Sequence, residues 1–325
     1  MRSGKHVFEL APYNDVRLSN IIMLPEEPLT VAFLEKELDL GAYPYFPLDF
    51  VPSEIGGDVE EKWIAGLKLN PKLKNNLLPS MRGIHQSDGR LTIHTGLTTY
   101  KSSYWVKKRQ RGEYHPNTEE AIANAIAPLN VGAIMITADD MIMAGLRPAG
   151  LTGHDMLLNI PCGYVLSSDG SIKSALNRQT KHEVGIPLYS EQDDELTSLD
   201  LHILEEPTLL GVQRESDELV PIVTFQMRTT YRADELAPPK YEVSRVRTLP
   251  ADPRKLADYL VEGYVPSLGY PGEAIPNLIG MCLLHLRGAD LNLYHEALGR
   301  IQHEATKKYD TQVMVRDSGV KIFGT

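Results

Sequence analysis

The order of elements along this chain predicts an α+β fold, in which a layer of helices packs on a mixed sheet. Three observations carry it. Val131 to Leu146 reads as two apolar strands around an Asp139-Asp140 turn. Ser171 to Val184 reads as one helix closed by Gly185. Downstream, a hairpin, a strand and three helices follow in sequence. Runs of strand and helix in that order are those of a layered α+β protein.

The elements can be justified from the N-terminus. Ile21 to Leu24 is a short apolar strand ended by Pro25. Leu29 to Leu38 has helical apolar spacing, with Gly41 just past its end. Asp58 to Leu69 is a helix with Trp63, Leu67 and Ile64 on one face. Arg90 to His94 alternates as a strand after the Asp88-Gly89 turn signal. Glu119 to Ala127 is alanine-rich and helical up to Pro128. Val131 to Thr137 is a buried strand, and Met141 to Leu146 returns beside it. Thr208 to Val212 and Leu219 to Arg228 form a hairpin around the polar tip Gln213 to Asp217. Val243 to Arg247 alternates as a strand. Pro253 to Glu262 is a helix with proline in its first turn. Glu273 to Arg287, irregular at Pro276, and Leu291 to Tyr309 are two more helices.

At 325 residues the chain can bury one large core or two. A net charge of −10 argues against a nucleic-acid backbone as main partner. The basic cluster Lys107-Lys108-Arg109-Gln110-Arg111 reads as a solvated loop. No apolar run approaches the roughly 18 residues that would span a membrane. Glu9 and Asp15 break up any leader-like apolar run at the start. Cys162 and Cys282, far apart in sequence, suggest neither a disulfide framework nor a zinc site. A reducing, cytoplasmic setting is the expectation. No Gly-x-Ser-x-Gly frame supports a serine nucleophile, and no phosphate-cradling Gly-x-x-x-x-Gly-Lys run exists.

The densest chemistry lies between Ala175 and Ile186. On a helix, positions three and four apart share a face. Carboxylates at 179, 182 and 183 would converge on one hard cation such as Mg²⁺, which takes oxygen ligands. Here the three positions hold Gln179, His182 and Glu183. An amide oxygen is a weak ligand, and imidazole suits Mn²⁺ or Zn²⁺ better than Mg²⁺. Gln179 and His182 also read simply as polar helix residues.

This stretch resembles the Nudix box: Gly, five residues, Glu, seven residues, then Arg-Glu-apolar-any-Glu-Glu-any-Gly-apolar. Arg178, Glu183, Gly185 and Ile186 fall in place. Gln179 and His182 stand where two acids belong, and Gly170 stands at the upstream Glu position. Gly163, the candidate leading glycine, is one residue too far upstream. The resemblance runs from Val131 to Tyr264 and implies a Nudix-type α/β/α sandwich with a mixed sheet. It implies Glu183 and Glu242 as catalytic acids, Arg147 and Arg178 as substrate-binding residues, and Glu183, His182 and Gln179 as metal ligands. By its residues alone Glu242 reads first as a surface strand residue, with Glu215 and Glu218 the next candidate acids, and Arg147 reads equally as a solvent-exposed or structural arginine.

Upstream, Trp63, the run Asn70 to Asn75, Leu91 and Gly96-Leu97-Thr98-Thr99-Tyr100-Lys101 are similar to the N-terminal extension of large Nudix proteins, some of which hydrolyse nucleotide sugars such as UDP-glucose. Trp63 and Tyr100 read as core residues; the Thr98 to Lys101 run reads alternatively as the wall of a substrate cleft. The expected organisation is an N-terminal mixed α/β domain over 1–115 and a Nudix-like domain with a helical C-terminal extension over 116–325. Two functions follow. One is a hydrolase, dependent on Mg²⁺ or Mn²⁺, of a nucleoside diphosphate linked to another moiety. The other is a catalytically silent Nudix fold that binds a nucleotide-like small molecule or a protein. Neither needs a membrane or nucleic-acid partner.

Overall fold

The computed structural model describes residues 4–13, 16–25, 53–108, 128–146, 158–186, 188, 203–215, 220–236, 245–267, 276–309 and 311–317. The helices expected at Leu29 to Leu38 and Glu119 to Ala127 lie outside them, as do Arg147, Glu218 and Glu242.

Among the described residues, twelve strands form two mixed sheets. The small sheet has the order β2 (Ile21–Pro25), β4 (Arg90–Thr99), β3 (Leu77–Ser87). Asp88 and Gly89, both at positive φ, close the β3–β4 hairpin as the sequence signal requires. The large sheet is built on β5 (Asn130–Ile136), paired parallel with β10 (Ile222–Arg228). β10 continues antiparallel to β9 (Thr208–Glu215), then β1 (Gly4–Pro12), which pairs parallel with β12 (Thr311–Asp317). On the other side, β6 (Met141–Leu146) returns from β5 and pairs antiparallel with β11 (Arg245–Pro250). β1 and β12 carry no clear sequence signal, and β1 joins the large sheet although it lies in the segment assigned by sequence to the N-terminal domain.

β5 and β6 meet only near their turn, at Ile136 and Ile142. Beyond it they diverge, and the segment 158–164 wedges between them. β7 (Leu158–Asn159) pairs with β6, and β8 (Cys162–Tyr164) pairs with β5. This wedge carries the candidate site.

The large sheet is covered on both faces. Alternate residues of β5 divide between two cores: Ile134 and Ile136 on one, Val131, Ala133 and Met135 on the other. The first core is covered by α4 (Pro253–Ser267), α5 (Pro276–Ala289) and α6 (Leu291–Tyr309). Pro276, expected to make that helix irregular, instead begins it, where its missing N–H costs nothing. The second core is covered by α3 (Ile172–Val184) and by Met81, Ile84, Leu91 and Ile93 of the small sheet. Double coverage explains why β5 reads as a continuous apolar run. The layering is the mixed-sheet sandwich that the sequence predicts. No helix among the described residues is long and apolar enough to cross a membrane.

α1 (Ser53–Leu69) and α2 (Tyr100–Lys108) pack together beside the small sheet. Trp63 is buried as expected, but Ile64, placed by periodicity on the same face, is 45% exposed. Lys107 and Lys108 close α2 and are not loop residues, and Arg109 to Arg111 lie outside the described residues. Thr99 caps α2 through its Oγ1 on the Ser102 N–H, and Asn75 Oδ1 accepts the Lys101 N–H at 2.8 Å. Thr98 and Thr99 are buried, which favours their structural reading over a cleft wall.

Leu210 is an extra residue of β9 opposite β10, a bulge beside Gly211. A Cβ on Gly211 would stand 2.4 Å from the Ala11 carbonyl oxygen of β1. Backbone cannot swing aside as a side-chain tip does. Gly211→Ala is therefore expected to cost about 3 kcal/mol, at the upper end of overpacking. Urea unfolding measures it, and a midpoint equal to wild type would show that β1 tolerates the contact.

Candidate functional site

α3 is positioned at both ends by its own sequence. Ser171 Oγ accepts the Ser174 N–H at 3.0 Å, and Gly185, at φ +82°, returns its N–H to the Lys181 carbonyl. Ile172, Ala175 and Leu176 face the core, as the helical spacing predicts, joined by Thr180 and Val184.

Three side chains of the box fasten α3 to the wedge. Arg178 places Nε and Nη2 on the two carboxylate oxygens of Asp169, each at 2.7 Å, and Nη2 also reaches the Tyr164 carbonyl at 2.7 Å. Gln179 Nε2 donates to the same carbonyl at 3.1 Å. Glu183 Oε2 accepts the Cys162 N–H at 3.0 Å. Gln179 is only 8% exposed, whereas His182 is on the exposed side of the helix. Arg178, Gln179 and Glu183 are thus brought together along β8, and His182 points out of that group.

Asp169 is the acid that spacing alone misses. It sits in a single 3₁₀ turn, Ser167–Asp169, where its Oδ2 also accepts the Leu166 N–H at 2.7 Å. Gly170 follows at φ +69°, a conformation that a glutamate would adopt only with strain. Counting from Gly163, five residues precede Asp169, so the upstream half of the frame is intact. Gly170 is then one extra residue before Arg178. Reading the offset of Gly163 and the acid at 169 as one shift would have found it.

β8 also links the box to the N-terminal helices. The Tyr164 ring meets Tyr100 edge-on at 5.5 Å, and its hydroxyl lies 3.2 Å from Ser103 Oγ. Trp63 and Tyr104 complete the aromatic group. Tyr100 and Tyr164 are half-buried.

The donor set fits a hard divalent cation poorly. Glu183 is the one carboxylate on the box face of α3, and its Oε2 is engaged by backbone. Asp169 is forked by Arg178. Gln179 turns its N–H towards the strand. Among the described residues no group of three His, Cys, Asp or Glu side chains is placed to hold a metal ion. Arg147 and Glu242 lie outside those residues.

No protein-family model and no curated protein sequence matches the chain. Among solved structures, similar ones include a Deinococcus radiodurans protein (13% identity, 47% of this chain and 80% of that one, TM-score 0.33). The MutT protein of Methanosarcina mazei Go1 is another (12% identity, 53% and 92%, TM-score 0.32). A third is the NUDIX domain of Shewanella oneidensis NrtR, complexed with ADP-ribose (18% identity, 41% and 76%, TM-score 0.26). Superposition at this level carries no argument about chemistry, so function has to be read from this chain's own residues.

Proposed function

We propose that this chain is a Nudix-type protein that binds a nucleotide-like ligand beside α3 without hydrolysing it through a box-bound cation. The observation supporting this is the commitment of the box. Hydrolysis of a diphosphate by Mg²⁺ needs several charged oxygens around the ion. The box face of α3 offers one carboxylate, Glu183, whose Oε2 already accepts the Cys162 N–H, and Gln179, which is a donor there. The nucleotide-like ligand is taken from the resemblance of the box frame, which is an argument by analogy. The half-buried residues Tyr100 and Tyr164, the latter on β8 beside the box, are the aromatic groups offered to a base.

Calorimetry with ADP-ribose, UDP-glucose and a dinucleoside polyphosphate, run beside a nucleotide-release assay with Mg²⁺ and with Mn²⁺, tests the proposal. Binding of at least one ligand with no turnover is expected. Turnover that is lost in both Glu183→Gln and Glu242→Gln would overturn it in favour of the metal-dependent hydrolase. Failure of every ligand to bind would overturn it as well.

A further inference from the structure

The outer edge of β8 explains why residues 179 and 183 differ in polarity. Successive residues of a strand turn their backbone groups to opposite sides. On the β5 side, Val165 N–H reaches the Leu129 carbonyl, and Pro161 carbonyl receives the Ala133 N–H. The groups of Cys162 and Tyr164 therefore point the other way, towards α3. An unpaired backbone group at a half-buried edge is costly, so each must find a partner. The Cys162 N–H needs an acceptor and finds Glu183. The Tyr164 carbonyl needs donors and finds Arg178 and Gln179. Residues 179 and 183 are one helical turn apart, and Tyr164 and Cys162 are two strand residues apart, so the two rungs run side by side.

We infer that the pairings made at this strand edge, the Tyr164 carbonyl with a donor at 179 and the Cys162 N–H with an acceptor at 183, make the box face of α3 a cation-independent brace that Gln179 completes. It rests on the proposed binding function only for what the site takes. An acid at 179 would set a carboxylate oxygen against the Tyr164 carbonyl oxygen. It would do so in a buried position pressed on Gly163, where even a Cβ would stand 2.3 Å from the Gln179 amide nitrogen. The nearest cation, Arg178, is already forked by Asp169. Glu183, by contrast, can be replaced by its amide, because Oε1 of glutamine still accepts an N–H.

The test uses the full chain and the metal alone as probe, so it does not depend on finding a ligand. Gln179→Glu, Gln179→Met and Glu183→Gln are compared with wild type by thermal unfolding, with and without millimolar MgCl₂ or MnCl₂, and by calorimetric titration of each metal. The melting temperature is expected to fall by several degrees in Gln179→Glu, by less in Gln179→Met, and hardly at all in Glu183→Gln. Neither metal should give a binding heat with wild type or restore Gln179→Glu. Should Gln179→Glu not fold, the fall in Gln179→Met carries the same sign. Wild-type stability in Gln179→Glu, its rescue by Mn²⁺, or a wild-type metal site abolished by Glu183→Gln would each overturn the inference. None of these outcomes depends on whether a nucleotide binds.

Discussion

Arg178→Ala is expected to remove about 3 kcal/mol of folding stability, the low end for breaking a buried ion pair. The asymmetry of the pair sets the size. The Asp169 side chain is 6% exposed, whereas Arg178 is 25% exposed. Deleting the arginine strips the more buried partner of its two guanidinium bonds, leaving it the Leu166 N–H, and removes one donor from the Tyr164 carbonyl. Arg178→Lys should restore little, because one ammonium cannot span both carboxylate oxygens and the carbonyl as the guanidinium fork does. Chemical denaturation of Arg178→Ala, Asp169→Ala and the double variant measures this. The double variant should cost clearly less than the two single losses together. Strictly additive losses would mean that the fork contributes no coupling.

The second large effect is a dependence of stability on pH. His285 of α5 lies 6% exposed against β10, with Nδ1 2.7 Å from Gln226 Oε1. An amide oxygen accepts, so Nδ1 is the donor in this bond. Nε2 has no hydrogen-bond partner among the described residues. Burial pushes the His285 pKa down to about 4; the Ala251 backbone acts the other way, and Arg228 pushes it further down. The unfolded chain has the ordinary value near 6.5. The folded pKa is depressed, so the neutral histidine stabilises the fold fully above about pH 6.5. As the pH falls towards 4 the unfolded chain takes up a proton that the native chain refuses, and about 3 kcal/mol is lost over that window. Unfolding free energies at pH 7.5 and 4.5 for wild type and His285→Gln give the measurement. The loss on acidification should shrink by about that amount in the variant, and an unchanged pH slope would exclude His285 as its source.

Local signals made the frame of this protein legible. The β5–β6 turn, the Asp88-Gly89 hairpin and the Ser171 and Gly185 caps are each written within a few residues, and each formed as read. β1 and β12 were not legible, since neither is strongly patterned: β1 is held between β9 and β12, and β12 pairs with β1 from the far end of the chain. Ile64 shows the same limit from the other side: helical spacing put it with Trp63, but α2 covers only part of that face of α1.

At the box, sequence determined the register of α3, its caps, its core face and the identity of every side chain turned towards β8. It also determined that only one of the three acid positions holds an acid. What those side chains do was decided by tertiary structure. The wedge between β5 and β6 turns the outward backbone groups of Cys162 and Tyr164 towards α3, and there, in pairings invisible in a linear pattern, Gln179 donates to the Tyr164 carbonyl and Glu183 accepts the Cys162 N–H. The extra residue at Gly170 likewise acquires its meaning only in three dimensions. Its left-handed turn brings Asp169 under Arg178, because a carboxylate in the interior must lie where a guanidinium can reach it, whatever the count of residues between them.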